Sequence, residues 1–252
     1  MTRTADATAA PRTSTLDRAT LMRLASTEYE RFGAMLLDLA TEDWLRPTEC
    51  PAWDVRAMVG HVLGMAEMAA SIREGMRQQK AARKRGGVFI DALTAVQVDE
   101  RAALTPQQVT ERFPRVGLRA ARARRRTPGL IRRRRMPDVQ TVGDRLETWT
   151  FGYLIDTILT RDPWMHRIDI ARATGRHHEL SADHDAVLVA DVVTEWAARH
   201  GQPCQLHLVG VAGGRWSFGT GGPTLALDAI DFCRTLSGRE PGAGLLTTQV
   251  PF

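Results

Sequence analysis

Three side chains carry metal-ligand chemistry at suggestive spacing. Asp162 and His166, inside Arg161-Asp162-Pro163-Trp164-Met165-His166-Arg167-Ile168-Asp169, are four residues apart. On a helix such positions lie one above the other on one face. Carboxylate oxygen and imidazole nitrogen are both ordinary zinc ligands. His61, about a hundred residues upstream, is the third candidate. Two imidazoles and one carboxylate leave at least one coordination position open, as in a catalytic rather than a closed structural site. The same donors also suit iron(II) chemistry with oxygen. Each residue has a plainer reading. His61 also fits a hydrogen-bonded core or surface histidine, and Asp162 followed by Pro163 is a good N-cap and N1 pair. His166 also fits a core histidine satisfied by Asp169 or a backbone carbonyl. Asp169, three residues further on, either orients an imidazole by accepting its N–H or pairs with Arg167 or Arg172. No tight zinc motif of the HExxH kind occurs.

The elements that must position these residues read mostly as helices. A first helix starts near Leu16-Asp17, with Leu21, Leu24, Phe32, Met35, Leu36 and Leu39 at helical spacing. The loop Arg46 to Trp53 follows. Asp54 then caps a helix predicted from Val55 to about Lys80. His61 lies on the flank of its Met58, Val62, Met65, Ala69 stripe, with Gly60 and Gly64 leaving space around it. Further helical patterns cover 88–103, a short helix from Thr105-Pro106 through Phe113, 141–160 and 164–174. This predicts a helical bundle over residues 15–180, with helices only before about residue 200. A β-sheet inside 20–175 counts against that reading. Ser181 caps a helix over 182–200, closed by Gly201. The runs 205–211 and 215–219, around Ala212-Gly213-Gly214, predict a β-hairpin, 224–227 a third strand and 228–236 a helix. Residues 181–252 therefore read as a small α/β domain, and the fold class as α+β. Residues 1–14, rich in Thr, Ala and Pro, read as a disordered tail.

Composition excludes several classes. The chain has 252 residues, 43% hydrophobic and 25% charged, which is ordinary for a soluble globular protein. No apolar run approaches a membrane span, and no apolar h-region marks a secretory signal. The three cysteines, Cys50, Cys204 and Cys233, are scattered without CxxC spacing, which points to reduced thiols in the cytoplasm. The net charge of +5 is local, concentrated between Arg115 and Arg135 in two Arg clusters split by Thr127-Pro128-Gly129. This segment is predicted to be exposed and poorly packed, a solvated helix end and loop. An anionic ligand, a partner and nucleic acid are the other readings. With no aromatics and no recognition motif, no sequence preference for duplex DNA is expected.

Three segments carry a family resemblance. Cys50-Pro51-Ala52-Trp53-Asp54-Val55-Arg56-Ala57-Met58-Val59-Gly60-His61 and Asp162 to Ile170 resemble the two signature regions of the mycothiol-dependent maleylpyruvate isomerase family. Asp228 to Arg239, with the terminal Gln249-Val250-Pro251-Phe252, resembles its C-terminal domain. The resemblance spans roughly residues 16 to 252. It implies a DinB-like four-helix bundle followed by a sterol-carrier-like α/β domain. It also implies a divalent metal, zinc by preference, held by His61, Asp162 and His166, with mycothiol as thiol cosubstrate. Asp162 departs from the family's usual Glu, one methylene shorter and followed by Pro163, so its carboxylate either ligates the metal, reaches it only through water, or falls short of it and caps the helix instead. By family logic a metal-bound thiolate adds to an electrophilic small molecule. Addition, rotation and elimination make an isomerase; release of the adduct makes an S-transferase. The Arg clusters suit an anionic substrate. The alternative function is a bundle that binds metal or ligand without turnover.

Overall fold

A computed structural model describes Arg12 and residues 14–252. In chain order the elements begin with α1 (Arg18–Asp38), α2 (Val55–Ala70), α3 (Ile72–Arg85), α4 (Phe89–Asp99), α5 (Pro106–Arg126) and α6 (Gly129–Arg132). Next come β1 (Gln140–Val142), β2 (Arg145–Glu147), α7 (Phe151–Tyr153), a π-helical turn (Leu154–Ile158) and α8 (Leu159–Thr174). The last are α9 (Asp185–His200), β3 (Cys204–Val209), β4 (Gly214–Phe218), β5 (Thr224–Asp228) and α10 (Ala229–Leu236). The chain forms two units, and the division is not one cut near residue 180. One unit takes Arg18–Arg134 with Leu154–His178; the other takes Arg135–Tyr153 and Glu179–Phe252 with the described residues before Arg18.

In the helical unit, α1 and α2 each pack against both α5 and α8, giving a four-helix bundle, and α3 and α4 pair beside α2. The apolar stripes meet in one core of Phe32, Met58, Val59, Val62, Leu63, Phe113, Val116 and Ile170. Phe32 stacks on Phe113 with ring centroids 5.0 Å apart. Gly117 sets the α1–α5 distance, because a Cβ there would lie 2.9 Å from the Cβ of Tyr29.

Three expectations need correction in this unit. α2 stops at Ala70, not near Lys80, because Ser71 turns extended and its hydroxyl caps α3 by accepting the Glu74 N–H at 3.3 Å. The Thr105 capping box is present, but the helix that it opens runs on to Arg126 instead of ending at Phe113. The Arg-rich segment is therefore largely helical, and two of its members are core residues. Arg124 is 2% exposed and Arg132 is 7% exposed. Arg124 donates to the carbonyls of Ile155 (2.8 Å) and Leu159 (3.0 Å), and Arg132 pairs with Asp156. Most other arginines between Arg115 and Arg135 are exposed.

The second unit holds both sheets. β1 and β2 form an antiparallel hairpin where the periodicity predicts helix, so helices alone before residue 200 is wrong. Gly143, at φ +59°, opens its two-residue turn, a conformation that L side chains avoid. This hairpin falls inside 20–175, but it belongs to the second unit, and the bundle itself has no named strand. The other sheet has order β4-β3-β5, with β4 antiparallel and β5 parallel to β3. Cys204, Leu206 and Leu208 of β3 alternate inward. Trp196 of α9 meets Phe232 of α10 edge to face at 5.3 Å. Asp228 caps α10 through the N–H groups of Ile230 and Asp231. α9 starts at Asp185, three residues later than expected. The tail expected over 1–14 lies outside the described residues except for Arg12 and Ser14. Ser14 holds Asp191 by a 2.6 Å hydrogen bond, and Arg12 pairs with Glu147 at 3.4 Å.

Candidate metal centre

Asp54 starts α2 as the sequence predicts, its carboxylate accepting the Ala57 N–H at 2.8 Å. His61 follows two turns later and is 5% exposed. Gly64, one turn beyond, lets α4 come close: a Cβ there would sit 2.7 Å from the Cβ of Gln97. Gln97 thereby reaches His61, with its Oε1 2.9 Å from Nδ1.

α8 begins before Asp162. Ile158, the residue ahead of the helix, already has helical angles (φ −64°, ψ −46°) and no side-chain cap. Asp162 therefore lies in the first turn and does not cap. Pro163 lacks an N–H, so the Leu159 carbonyl has no partner one turn on. The buried Arg124 guanidinium supplies that donor and also serves the Ile155 carbonyl in the π-helical turn. With its entry held this way, α8 stacks Asp162 and His166 on the face toward His61.

The three candidates converge. His61 Nε2 lies 3.4 Å from Asp162 Oδ2, and His166 Nε2 lies 3.7 Å from the same oxygen. The two imidazoles stand nearly perpendicular, with centroids 5.3 Å apart. Ligand atoms of all three residues fall within 4.8 Å of one another. These separations exceed a good N–H···O bond of about 2.7–3.2 Å. They suit atoms sharing one ion, since tetrahedral ligands at about 2.0–2.2 Å lie about 3.3–3.6 Å apart. The Nδ1 atoms are used elsewhere: His61 on Gln97, and His166 on Asp169 Oδ2 at 3.0 Å. Asp169 is 0% exposed, and its Oδ2 holds the His166 imidazole. Arg167 pairs with Glu28 and Arg172 with Glu49, both at 2.8 Å. Both Nε2 atoms thus face the Asp162 carboxylate. A divalent ion fits this donor set.

Sequence reasoning missed two members of the setting. Gln97 has no sequence signal, sitting on α4 36 positions away from its partner. Trp53 roofs both imidazoles, 5.2 Å from His61 and 5.8 Å from His166 by centroid.

Known proteins give the same outline. Two crystal structures of a mycothiol-dependent maleylpyruvate isomerase, one of them a His-to-Ala mutant, are 14% and 13% identical to the chain and superpose with a TM-score of 0.56. Each comparison covers 89% of this chain and 90% of the other. At that identity the likeness speaks for the fold: a helical bundle with a small α/β unit. Comparison with curated proteins gives no match. Residues 25–171, more than half of the sequence, match the mycothiol maleylpyruvate isomerase N-terminal domain, and the chain belongs to that family.

Proposed function

We propose that this chain is a metal-dependent, mycothiol-using enzyme of the isomerase or S-transferase type, acting on an electrophilic small molecule. His61, Asp162 and His166 hold the ion, which is zinc. The observation that carries this reading is the convergence of two imidazole Nε2 atoms on one carboxylate, with both Nδ1 atoms engaged by Gln97 and Asp169.

A divalent ion there supplies Lewis acidity that lets a thiol ionise near neutral pH. The protein's own groups do the rest of the positioning. Gln97 and Asp169 keep each imidazole in the tautomer that offers Nε2, and fix its ring plane. Arg124 fixes the first turn of α8 and with it Asp162. Trp53 covers one side of the two imidazoles and keeps water from it. His61, Asp162 and His166 would hold the ion with three donors, a number that would leave room for a thiol cosubstrate. Family membership favours mycothiol as that thiol. The exposed arginines of α5 favour an anionic electrophile, not nucleic acid read by sequence. The enzyme works in the cytoplasm, where Cys50, Cys204 and Cys233, none of them in a disulfide, stay reduced. Among the described residues, no helix is long and apolar enough to cross a membrane.

The test combines elemental analysis with turnover. Purified protein should carry one equivalent of zinc, and zinc-loaded protein should turn over a small-molecule electrophile in a mycothiol-dependent reaction. Loss of turnover on chelation and its return with added zinc support the reading. Stoichiometric metal without any thiol-dependent turnover would leave a binding protein instead.

A further inference from the structure

The loop ahead of α2 brings a sulfur atom behind His166. Pro47 and Asp54 close this loop as an antiparallel bridge. Inside it, the Thr48 N–H donates to the Trp53 carbonyl at 3.1 Å and the Trp53 N–H to the Cys50 carbonyl at 2.8 Å. The Thr48 hydroxyl oxygen accepts the Cys50 N–H at 3.2 Å. The backbone of Cys50 is therefore held on both sides. Its half-buried Sγ, a ring nitrogen of His166 and a carboxylate oxygen of Asp169 all lie within 4.8 Å of one another.

We propose that Cys50, His166 and Asp169 form a second cation position, one that takes a thiophilic divalent ion and shares His166 with the first. The donor set differs in kind from the first centre. Sulfur, nitrogen and oxygen replace two nitrogens and an oxygen, and thiolate shifts preference toward softer ions. Ligand atoms at about 2.0–2.3 Å from one tetrahedral ion lie about 3.3–3.6 Å apart, so the set has at most about 1.5 Å to close. Asp169 Oδ2 and His166 Nδ1, at 3.0 Å, are already that close. With the first position empty, an ion entering here releases the Cys50 thiol proton to solvent and shifts the single N–H of His166 from Nδ1 to Nε2; with the first position filled, the Nδ1 proton also leaves and the ring bridges the two positions as imidazolate. The Nδ1 proton is the one that Asp169 accepts to fix the ring. Filling the second position therefore removes the hydrogen bond that presents Nε2 to the first. The two positions are coupled through a single imidazole, and excess thiophilic metal disturbs the first centre through this route. The sulfur-bearing position needs only the loop and α8, whether or not the chain turns over mycothiol, while its coupling to the first position rests on the metal centre proposed above.

Cadmium reads the sulfur directly, because thiolate coordination adds charge-transfer absorption in the near ultraviolet. Full-length metal-free protein, wild type and the variants His61→Ala, Cys50→Ser and Cys50→Ala, is titrated with Cd2+ and bound metal is counted by equilibrium dialysis. The band should grow to one equivalent in wild type and in His61→Ala. Both Cys50 variants should lose it while still binding one Cd2+ at the first centre. No band in wild type, or the same band in the Cys50 variants, overturns the proposal. Alkylation of wild type by iodoacetamide gives a second readout that needs no substitution. One equivalent of Cd2+ beyond the first should slow modification of Cys50, located by peptide mass, at least tenfold. Cys204 and Cys233 are 0% exposed and supply the unreactive background. Unchanged alkylation of Cys50 overturns the proposal as surely as a missing band.

Discussion

Gln78 donates its side-chain N–H to the backbone carbonyl of Gly64 at 3.0 Å, and the tautomer of His61 follows from that bond. A carbonyl only accepts, so the Gln78 amide nitrogen must point at Gly64 and its Oε1 away. That Oε1 accepts the Gln97 Nε2 at 3.1 Å, which turns the Gln97 Oε1 toward His61 Nδ1. Nδ1 then carries the proton and Nε2 the lone pair. Glu74, also accepting from Gln78 at 2.9 Å, pins the same end of the chain. Gln97→Leu should therefore weaken zinc binding by about 10–100-fold, the usual effect of losing such an outer partner. Competition against a chromophoric chelator measures it. Affinity unchanged within twofold would mean that the chain of amides orients nothing.

The ligands themselves should separate by role. His61→Ala and His166→Ala should each lose stoichiometric zinc by elemental analysis. Asp162→Ala should retain zinc weakly, since two imidazoles remain with both Nδ1 partners in place. Retention of a full, tightly held equivalent by His61→Ala would rule out the centre at these residues.

Much of this arrangement is legible in sequence where chemistry and periodicity are local. The i,i+4 spacing of Asp162 and His166, the Asp54 cap and the Ala212-Gly213-Gly214 hairpin are each written within a few residues. The misses have physical causes. Leu146, Trp149, Tyr153 and Ile158 fall at helical spacing, yet Gly143 and Asp144 make a two-residue turn that ends any helix there. The arginines of α5 hide a core stripe, Val109, Phe113, Val116 and Ala120, whose spacing predicts a helix through the basic run once charge is set aside. Asp162 reads as a cap because Asp-Pro so often is one. Only the π-helical turn ahead of it moves the helix start upstream. Gln97 carries no mark at all, because its role depends on α4 folding back on α2 across a glycine.

Arg124 tests how the helix entry supports the site. Its guanidinium serves the Leu159 carbonyl, which Pro163 leaves without its donor one turn on, and the Ile155 carbonyl in the π-helical turn, and it also reaches Tyr29 at 3.3 Å. Arg124→Met should cost about 3 kcal/mol in unfolding free energy, because buried carbonyls lose charge-assisted bonds. Arg124→Lys should recover little, since one ammonium cannot span the same acceptors. Urea denaturation followed by circular dichroism decides it. A loss below about 0.5 kcal/mol, within the ordinary range for a neutral surface change, would show that the carbonyls find other donors.

Acid stability offers a test at the outer end of the amide chain. Arg77 grips Glu74 with two hydrogen bonds, 2.7 and 2.8 Å long, and reaches Glu100 at 2.7 Å. The Arg77 hydrogen bonds outweigh partial burial and, with Gln78 and the nearby charge of Arg101, bring the Glu74 carboxyl down from 4.5 to about 2. Glu100 is lowered in the same way by Arg77. A carboxyl that is more acidic when folded stabilises the fold fully above its unfolded pKa, and that contribution fades as pH falls through the folded one. The window is therefore about pH 4.5 down to 2. The pair is partly solvent-exposed, so Glu74→Gln should cost roughly 0.5–1 kcal/mol at pH 7. The difference from wild type should shrink through that window and vanish near its lower end. Parallel stability curves for the two proteins from pH 6 to pH 2 would show that the Arg77 grip adds nothing to the folded state.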